Sequence, residues 1–462
     1  MKKTGIYLLV FVLHLVTAGC ASKVKESIIP AGTSAAITLP PSGITALQSA
    51  QDLEVLLQQI GTARYVLLGE ATHGTAEFYS WRAALSQRLI QEKGFNVIAV
   101  EGDWPAAYAL NRYIRAEPPA SSAAEALQSF QRWPAWMWAN QEIAGFTDWL
   151  RQYNQGQATR PVGFYGLDLY SLWESLDAIR KFSEADAAIL AAVGKAQKCL
   201  APYDQDEQAY AQATTQGASC AGAMEEVLAA VRNRVAQLPA GHEAAFNAEQ
   251  NALVAVNGER YYRAMMGSSA GSWNIRDRHM METINRLLAH RGPDAKIIIW
   301  EHNTHVGDAR HTDMAASGEV NVGQLVREQH AREGVYIVGV GTYEGSVIAS
   351  GYWGGPATKM RVPAAKAGSW EALLHQTPPA DKIIDLQSWR ADKSLTQRRG
   401  HRAIGVVYNP NREAGNYVPT DLPNRYDAFI FIDKTQALHP LSVKGSAQRG
   451  SAVETPAGVA KE

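Results

Sequence analysis

Eight short apolar runs, several of them separated by stretches of helical pattern, constrain the fold of this chain more than any other feature. Each run is rich in β-branched and aromatic residues and has the length of a buried strand. The runs are RYVLLG (64–69), NVIAVE (96–101), VGFYGLD (162–168), KIIIWE (296–301), VYIVGVGT (335–342), KIIDLQ (382–387), AIGVVYN (403–409) and AFIFID (428–433). Because strands that alternate with helices form parallel sheets, the pattern predicts an α/β fold with a largely parallel β-sheet flanked by helices.

The spacing of the runs also predicts how the chain is organised. Helical patterns occupy about 121–155 and 173–290, and the second stretch predicts a long helical insertion in an α/β body at 46–442. Residues 21–45 are rich in Ser, Ala, Gly and Pro, as expected of a flexible tether. Residues 443–462 have the composition of a disordered tail.

The N-terminus has the pattern of an export signal. Lys2 and Lys3 precede an apolar run of fifteen residues, 5–19, which is too short for a spanning helix. The run ends in VTAGC, similar to a bacterial lipobox, so residues 1–20 predict a lipoprotein signal peptide with Cys20 as the lipidated residue. With Ala21 next, we expect an outer-membrane lipoprotein facing the periplasm, held to the membrane by its lipid anchor. The alternative is ordinary cleavage near Ala18 or Ala21 and a soluble periplasmic protein.

The two remaining cysteines, Cys199 and Cys220, lie within the predicted helical insertion. In an oxidising compartment, an even pair separated by about twenty residues favours a disulfide over two free thiols. Two buried thiols are the alternative.

The balance of charge narrows the class of partner. The chain has 44 Lys plus Arg against 45 Asp plus Glu, without long blocks of like charge. Nucleic-acid binding proteins carry a basic surface, which this composition does not supply. We therefore expect a small-molecule substrate and no nucleic-acid partner.

Ionisable residues follow two of the predicted strands directly. Glu70 and His73 come after the first run, Glu101 ends the second, and Arg82 lies about two turns into the helix between them. In open parallel sheets, ligands bind beyond the carboxyl ends of the strands. A histidine flanked by acids is the arrangement of an oriented general base, so these four residues predict a catalytic site. The alternative is that the glutamates are loop acids and His73 caps a helix.

A third strand end repeats the pattern with Glu301, His302 and His305. A His-x-x-His pair beside carboxylates raises the alternative of a zinc site, but a loop pair without a third ligand at a defined spacing is weak evidence for metal. We expect no metal and no other cofactor. His302 is predicted to be catalytic, and Glu301 and His305 to contact the substrate.

Aromatic residues near these strand ends predict the walls of a binding site. The segment RWPAWMWAN supplies Trp133, Trp136 and Trp138, and Trp104 follows the second strand. Large apolar side chains are typical linings of ligand pockets. The alternative for each tryptophan is a place in the hydrophobic core.

The segment GSSAG, residues 267–271, matches the Gly-x-Ser-x-Gly nucleophile elbow. That elbow requires a strand before the serine, whereas the sequence on both sides of Ser269 has a helical pattern. We therefore expect Ser269 to lie in a loop between helices and not to be a nucleophile.

Six motifs together resemble the erythromycin esterase family, over about residues 48–440. These motifs are LLGEATHGTAEFY, VIAVEGDWPAAYALNRYI, WPAWMWANQEI, SWNIRDRHMMETI, IIIWEHNTHVGD and GVGTYEGS. The resemblance implies an α/β fold and hydrolysis of a macrolide lactone by water. It also implies that His73 activates the water, with Glu70, Arg82, Glu101 and His302 at the family's other catalytic positions. Glu301 stands where the family usually has alanine.

Two further hypotheses remain open at this point. The first is a noncatalytic envelope binding protein with the same fold, although a binder has no need of a base between acids. The second is a metal-dependent hydrolase that uses Glu70, His73, Glu101 and His302 as ligands. A further alternative, close to the main prediction, is an envelope hydrolase that acts on a substrate other than a macrolide.

Overall fold

The computed structural model of the protein describes residues 39–157, 160–183, 186–239 and 241–443. The predicted signal peptide, Cys20, most of the predicted tether and residues 444–462 of the predicted tail lie outside the described residues. The folded body begins earlier than residue 46, because Leu39 is buried and Ile44–Ala46 form a strand. A three-residue edge strand within Ser- and Gly-rich sequence is too short to give a recognisable apolar run.

The strands form one large sheet and a small two-stranded ribbon. In chain order they are β1 (Ile44–Ala46), β2 (Tyr65–Leu68), β3 (Val97–Asp103), β4 (Gly163–Asp168), β5 (Ile297–Trp300), β6 (Val335–Ala349), β7 (Thr358–Val362), β8 (Lys382–Asp385), β9 (Arg399–Arg402), β10 (Tyr417–Thr420) and β11 (Ala428–Thr435). The large sheet has the order β1-β8-β11-β6-β2-β5-β3-β4, with β7 paired to β6. Strands β9 and β10 form the ribbon.

The centre of the large sheet is parallel. Strands β11, β6, β2, β5, β3 and β4 run parallel to their neighbours, whereas β8, β1 and β7 join antiparallel at the margins. This confirms the predicted α/β class with a largely parallel sheet. Strand β5, which comes late in the chain, lies between β2 and β3.

Helices connect and cover these strands. The α-helices are α1 (Glu54–Ile60), α2 (Ala76–Lys93), α3 (Trp104–Ile114), α4 (Ala123–Ala126), α5 (Gln141–Gln155), α6 (Leu172–Phe182), α7 (Ala187–Leu200), α8 (Glu207–Thr214), α9 (Ala221–Val235), α10 (Glu243–Met265), α11 (Ser269–Arg291), α12 (Asn303–Val306), α13 (Val322–His330), α14 (Trp370–His375) and α15 (Leu422–Arg425). Short 3₁₀ segments are Ala50–Leu53, Leu127–Ser129, Ala135–Met137, Ala201–Tyr203, Ala309–His311, Asp313–Ser317, Ala331–Glu333, Leu386–Trp389 and Pro410–Gly415. None of the helices in the described part of the chain combines the length and apolar character of a membrane span.

Two hydrophobic cores hold the body together. The larger core packs alternate residues of the central strands against α1, α2, α3 and α5, and includes Val66, Leu68, Ile98, Val100, Ile298 and Trp300. Helices α6 to α11 lie between β4 and β5, where the insertion was predicted, and α6, α7, α9 and α10 share the second core. Burial of each large aliphatic side chain contributes roughly 1.5–3 kcal/mol, so both cores are substantial.

Two local predictions were wrong. Residues 403–409 do not enter the sheet; they run beside it and pair only at single positions, Ile404 with Thr72 and Val407 with Ser350. The helical stretch predicted at 121–155 is broken into α4 and α5, because the Trp-rich segment between them forms a loop with a short 3₁₀ turn. Helix α5 then starts at an Asn140 cap, whose side chain accepts from the backbone N–H of Ile143.

The predicted disulfide between Cys199 and Cys220 is present. It joins the last turn of α7 to the N-cap of α9 across a separation of 21 residues. The bond therefore closes the part of the helical insertion that contains α8.

Candidate active site

Four neighbouring parallel strands end at one edge of the sheet and bring the predicted site together. Trp300 of β5 is in register with Leu68 of β2 on one side and Val100 of β3 on the other. The residues that follow these positions therefore lie side by side at the carboxyl ends of the strands. Strand β4 adds Asp168 from the other side of β3.

Glu70 is the link between His73 and Arg82. Its Oε1 lies 2.9 Å from His73 Nδ1, and its Oε2 accepts a hydrogen bond of 2.6 Å from Arg82 Nη2. All three side chains are buried. The Arg82 guanidinium also lies over the rings of Tyr79 and Trp300, so packing as well as charge holds it in place.

The loop that carries His73 is fixed by a close backbone approach at Gly74. A Cβ at this position would lie 1.9 Å from the carbonyl oxygen of Ile348, closer than any real contact. The Gly74 carbonyl accepts hydrogen bonds from the backbone N–H groups of Ile348 and Leu438. Only glycine fits here, and the resulting bonds set the position of the neighbouring histidine.

Glu101 is the second carboxylate of the site and is held ionised. Its Oε1 accepts from Arg276 Nη2 at 2.8 Å, and its Oε2 accepts from the backbone N–H of His302 at 2.7 Å. Burial opposes ionisation of Glu101, but the charges of His305, Arg276 and His73 and the His302 N–H together lower its pKa. The site therefore contains a permanent negative charge close to His73.

His302 is a neutral ring that packs against His73. The two ring centroids are 4.9 Å apart. Burial, followed by the proximity of His73, holds the pKa of His302 well below its usual value. Its Nδ1 caps α12 by accepting from the backbone N–H of Thr304, so the proton of the neutral ring belongs on Nε2.

A buried network around Arg276 was missed at the sequence level. Arg276 of α11 binds both oxygens of Asp168 as well as Glu101, and its guanidinium lies over the Tyr170 ring. Next to it on α11, Asp277 lies 3.0 Å from His305 Nδ1. Both residues fall in SWNIRDRHMMETI, one of the motifs that carried the family resemblance, but nothing in helical spacing indicated that they reach the strand ends.

His305 belongs to this network and not to the surface of the site. Its ring is 1 % exposed and stacks on Trp273 at 4.5 Å. Burial lowers its pKa, but the carboxylates of Asp277 and Glu101 outweigh burial and raise the pKa to about 9. The carboxylates therefore favour the imidazolium form of His305, whereas Arg276, whose Nη1 lies 2.8 Å from His305 Nε2, disfavours it.

A cavity that measures about 600 Å³, including space open to solvent, opens onto these groups. His73, Glu101, Asp168 and Arg276 form its polar end. Its apolar walls are Phe130, Trp133, Met137, Trp138, Tyr170, Trp353 and Val406. This combination of an apolar body with a few convergent ionisable groups is typical of a small-molecule site.

The structure places four of the predicted substrate contacts elsewhere. Trp104 and Trp136 are buried and are not among the residues that line the cavity; Trp104 donates to Asn247 and stacks on Tyr165. His305 is enclosed as described. Glu301 is fully buried, and neither of its carboxyl oxygens has a hydrogen-bond partner among the described residues. Burial raises the pKa of Glu301 well above its usual value, which favours the neutral form of its carboxyl group.

Trp138 is the predicted aromatic contact that does line the cavity, together with Trp133. Its indole Nε1 donates to the backbone carbonyl of Glu101 at 3.0 Å. The tryptophan therefore also fixes the end of β3 from which the Glu101 side chain emerges.

Ser269 lies apart from this cavity. It is the exposed first residue of α11, directly after the Ser268 cap, and the segment before it is α10. The absence of a preceding strand was predicted correctly, although Ser269 begins a helix and does not lie in a loop. A nucleophile elbow needs a strand before the serine, so Ser269 does not form one.

The histidines proposed as alternative metal ligands face different partners. His302 contacts Thr304 and His73, whereas His305 contacts Asp277. Within the part of the chain that the structure describes, no group of three or more His, Cys, Asp and Glu side chains has an arrangement that could hold a metal ion.

Similar proteins are found among known sequences and solved structures. The putative hydrolase YbfO of Bacillus subtilis (strain 168) is 20% identical over 358 residues, which cover 73% of this chain and 77% of that protein. Erythromycin esterase type II of Escherichia coli is 23% identical over 275 residues, covering 55% of this chain and 63% of that protein. The solved structure of a mutant of erythromycin esterase EreC in its open conformation aligns with a TM-score of 0.61 at 18% identity, over 84% of this chain and 95% of that one.

The fold is mixed α/β, and family membership makes this protein a member of a hydrolase family. The family model for erythromycin esterase matches residues 90–435. The chain belongs to the erythromycin esterase family. Glu70, His73 and Arg82 precede the matched range, so their assignment depends on the geometry described above.

Proposed function

We propose that this protein hydrolyses a carboxylic ester, such as the lactone of a macrolide, by direct attack of water that His73 activates. The observation that carries the proposal is the position of His73 between Glu70 and the cavity. A histidine held by a carboxylate and facing a pocket is the arrangement that general-base catalysis requires.

The hydrogen bond to Glu70 fixes which nitrogen of His73 acts. A carboxylate oxygen can only accept a hydrogen bond, so the Nδ1–H group of His73 donates the hydrogen bond to Glu70 Oε1. The lone pair of the neutral ring is then on Nε2, which takes the proton of the attacking water. Glu70 and Glu101 stabilise the imidazolium that forms, and Arg82 holds Glu70 in the orientation that this requires.

The negative charge that develops on the ester oxygen needs a fixed positive charge at the same cavity. Arg276 lines the cavity and keeps its guanidinium in place through Asp168 and Glu101. We assign Arg276 to stabilisation of the oxyanion through its positive charge, because its N–H groups already bond to Asp168, Glu101 and His305 and a fixed cation stabilises developing charge without reorganisation. Neutral His302 packs beside His73 and adds no competing positive charge next to the base.

The proton then passes from the His73 imidazolium to the leaving alkoxide. The reaction adds one water across the ester bond, giving one acid and one alcohol, and forms no bond to the protein. Ser269 takes no part, since it is exposed at the start of α11. The apolar walls of the cavity favour a substrate with a large hydrophobic part.

The test of this proposal is a mass-spectrometric screen of the purified protein against macrolides and simple esters. Addition of the mass of one water to a macrolide, or release of acid and alcohol from an ester, is the expected result. His73→Ala should slow the conversion by about 10² to 10⁴, and the matched control Ser269→Ala should retain the wild-type rate. Conversion by His73→Ala at the wild-type rate would contradict the proposal.

We also propose that the protein is a lipoprotein of the outer membrane, anchored through Cys20 and facing the periplasm. The support is the sequence pattern of residues 1–20 and the absence of Asp at position 21. Labelled palmitate should enter the wild-type protein and should not enter Cys20→Ser. Equal labelling of the two proteins, or labelling of neither, would contradict the anchor.

A further inference from the structure

A second, larger groove adjoins the active-site cavity. It measures about 2150 Å³, including space open to solvent, and it lies among α3, α6, the start of α8 and α10. Asp103 and Arg132 line both the groove and the cavity. A molecule long enough to pass these two residues would occupy both compartments at once.

Arg132 is surrounded by more negative charge than it can neutralise. Its guanidinium forms ion pairs with three carboxylates, those of Asp103, Glu174 and Glu207. One positive charge thus faces three carboxyl groups. The carboxyl groups around Arg132 outnumber its single positive charge, so this end of the groove disfavours an anionic ligand.

Two of these carboxylates also have an oxygen that is not hydrogen-bonded. Glu207 is 1 % exposed and lines the groove, and its Oε2 is buried without a hydrogen-bond partner among the described residues. The same holds for Oδ1 of Asp103. A buried carboxylate oxygen without a donor is costly, so these atoms mark a place where a ligand group can donate or place positive charge.

The rest of the groove has the same sign of charge. Its lining contains five acids, Asp103, Glu117, Glu174, Asp177 and Glu207, and three bases, Arg112, Arg132 and Lys181, a difference of two negative charges. Arg112 is itself paired with Glu117. The aromatic rings of Tyr108 and Phe182 also line the groove, and ring faces attract alkylammonium groups.

We propose that this groove binds an alkylammonium group of the substrate, so that the enzyme prefers esters with a cationic amine on the part that extends past Arg132. The inference rests on the proposed ester hydrolysis for its catalytic consequence, but binding of the cation can be measured separately. In support, burial raises the pKa of Asp103 to about 7, opposed by Arg132 and reinforced by Glu174, Asp168 and Glu207. A bound cation would relieve that surplus of negative charge.

The first experiment measures binding by calorimetry. The probes are trimethylalkylammonium ions of several chain lengths and their neutral isosteres, in which carbon replaces the nitrogen. We expect the cations to bind at least about tenfold more tightly, with a preference that falls as salt is added. Equal binding of cation and neutral isostere at every length would overturn the proposal.

Two conservative variants test the residues. Glu174→Gln and Asp177→Asn change carboxylates that are partly or largely exposed, so neither leaves a buried charge unpaired. Combined, they should reduce the preference for the cation by about fivefold or more, as expected for the loss of two nearby charges. The matched control is Glu225→Gln, an exposed acid of α9 outside the groove, which should keep the full preference. A full preference in the double variant would contradict the assignment of the groove.

A parallel assay separates this proposal from the proposed function. The kcat/KM of esters that carry a trimethylammonium group is compared with that of esters that carry its neutral isostere. Hydrolysis of both at equal rates would leave ester hydrolysis standing and reject the cation subsite. Tighter binding of the cations without hydrolysis of any ester would support the subsite and reject the proposed reaction.

Discussion

Glu70 binds His73 with one carboxyl oxygen and Arg82 with the other, so one side chain sets the orientation of the ring that faces the cavity. The contacts span three residues along the chain to His73 and twelve to Arg82. The arrangement makes Glu70 a positioning residue, which acts on the reaction only through His73.

This relationship predicts a non-additive pair of substitutions. His73→Ala should lower kcat by about 10² to 10⁴ with little change in KM, because proton transfer contributes only in the transition state. Glu70→Gln should lower kcat less, and in the double variant it should add little to the loss from His73→Ala. Steady-state kinetics of the three variants test this. Losses that multiply in the double variant would show that Glu70 acts independently of His73.

A second prediction concerns His305 and alkaline pH. Its pKa of about 9 in the folded protein exceeds the value of about 6.5 expected when unfolded. A raised histidine pKa stabilises the fold fully below the unfolded value, and the contribution is lost as the pH rises through the folded value. The free energy of unfolding should therefore fall by up to about 3 kcal/mol between about pH 6.5 and pH 9.

Urea unfolding at several pH values checks this prediction. His305→Gln should lack most of the alkaline decrease, because its side chain does not titrate. The matched control is His439→Gln, whose side chain is 58% exposed and should leave the decrease intact. The same alkaline slope in His305→Gln and in the wild type would show that His305 is not ionised in the folded protein.

A third prediction concerns the neutral carboxyl group of Glu301. Burial raises its pKa, so the folded protein retains a proton that the unfolded chain releases above its normal value. The stability of the wild type should consequently fall as the pH rises above about 4.5. Glu301→Gln removes this term, so its stability relative to the wild type should increase from about pH 4.5 towards neutral pH. A stability difference that is constant over this range would show that Glu301 is ionised when folded.

A fourth prediction concerns the disulfide. The loop closed by Cys199 and Cys220 spans 21 residues, for which the chain-entropy estimate gives roughly 3 kcal/mol of stabilisation. Replacing both cysteines by serine should reduce the free energy of urea unfolding by about that amount. Adding a reductant should destabilise the wild type and leave the variant unchanged. Two alkylatable thiols in unreduced protein would contradict the bond.

The sequence predicted those parts of the site that follow a strand directly. Glu70, Glu101 and His302 were found because each comes just after a buried apolar run, and parallel strands end at one edge. Arg276 reaches the same edge from a helix more than a hundred residues beyond its partner Asp168. Spacing along a helix does not reveal which distant strand that helix packs against.

The direction in which side chains point was the second feature that could not be predicted from the sequence. Trp104 and Trp138 are both tryptophans near the end of β3, yet of these two only Trp138 lines the cavity. Residues 403–409 have the composition of a strand but pair with the sheet only at isolated positions, while their Val406 reaches the cavity wall. Composition describes how apolar a segment is, and tertiary packing decides what it contacts.

The most direct test of the account is a single turnover in ¹⁸O water with enzyme in excess, using an ester identified by the screen. The product acid and the intact protein are weighed by mass spectrometry in samples quenched during the reaction. Direct attack by water predicts one ¹⁸O in every molecule of product acid and an unmodified protein at all times. Unlabelled product acid with ¹⁸O in the protein would identify a carboxylate nucleophile such as Glu101, and an acyl adduct on the protein would likewise contradict activation of water by His73.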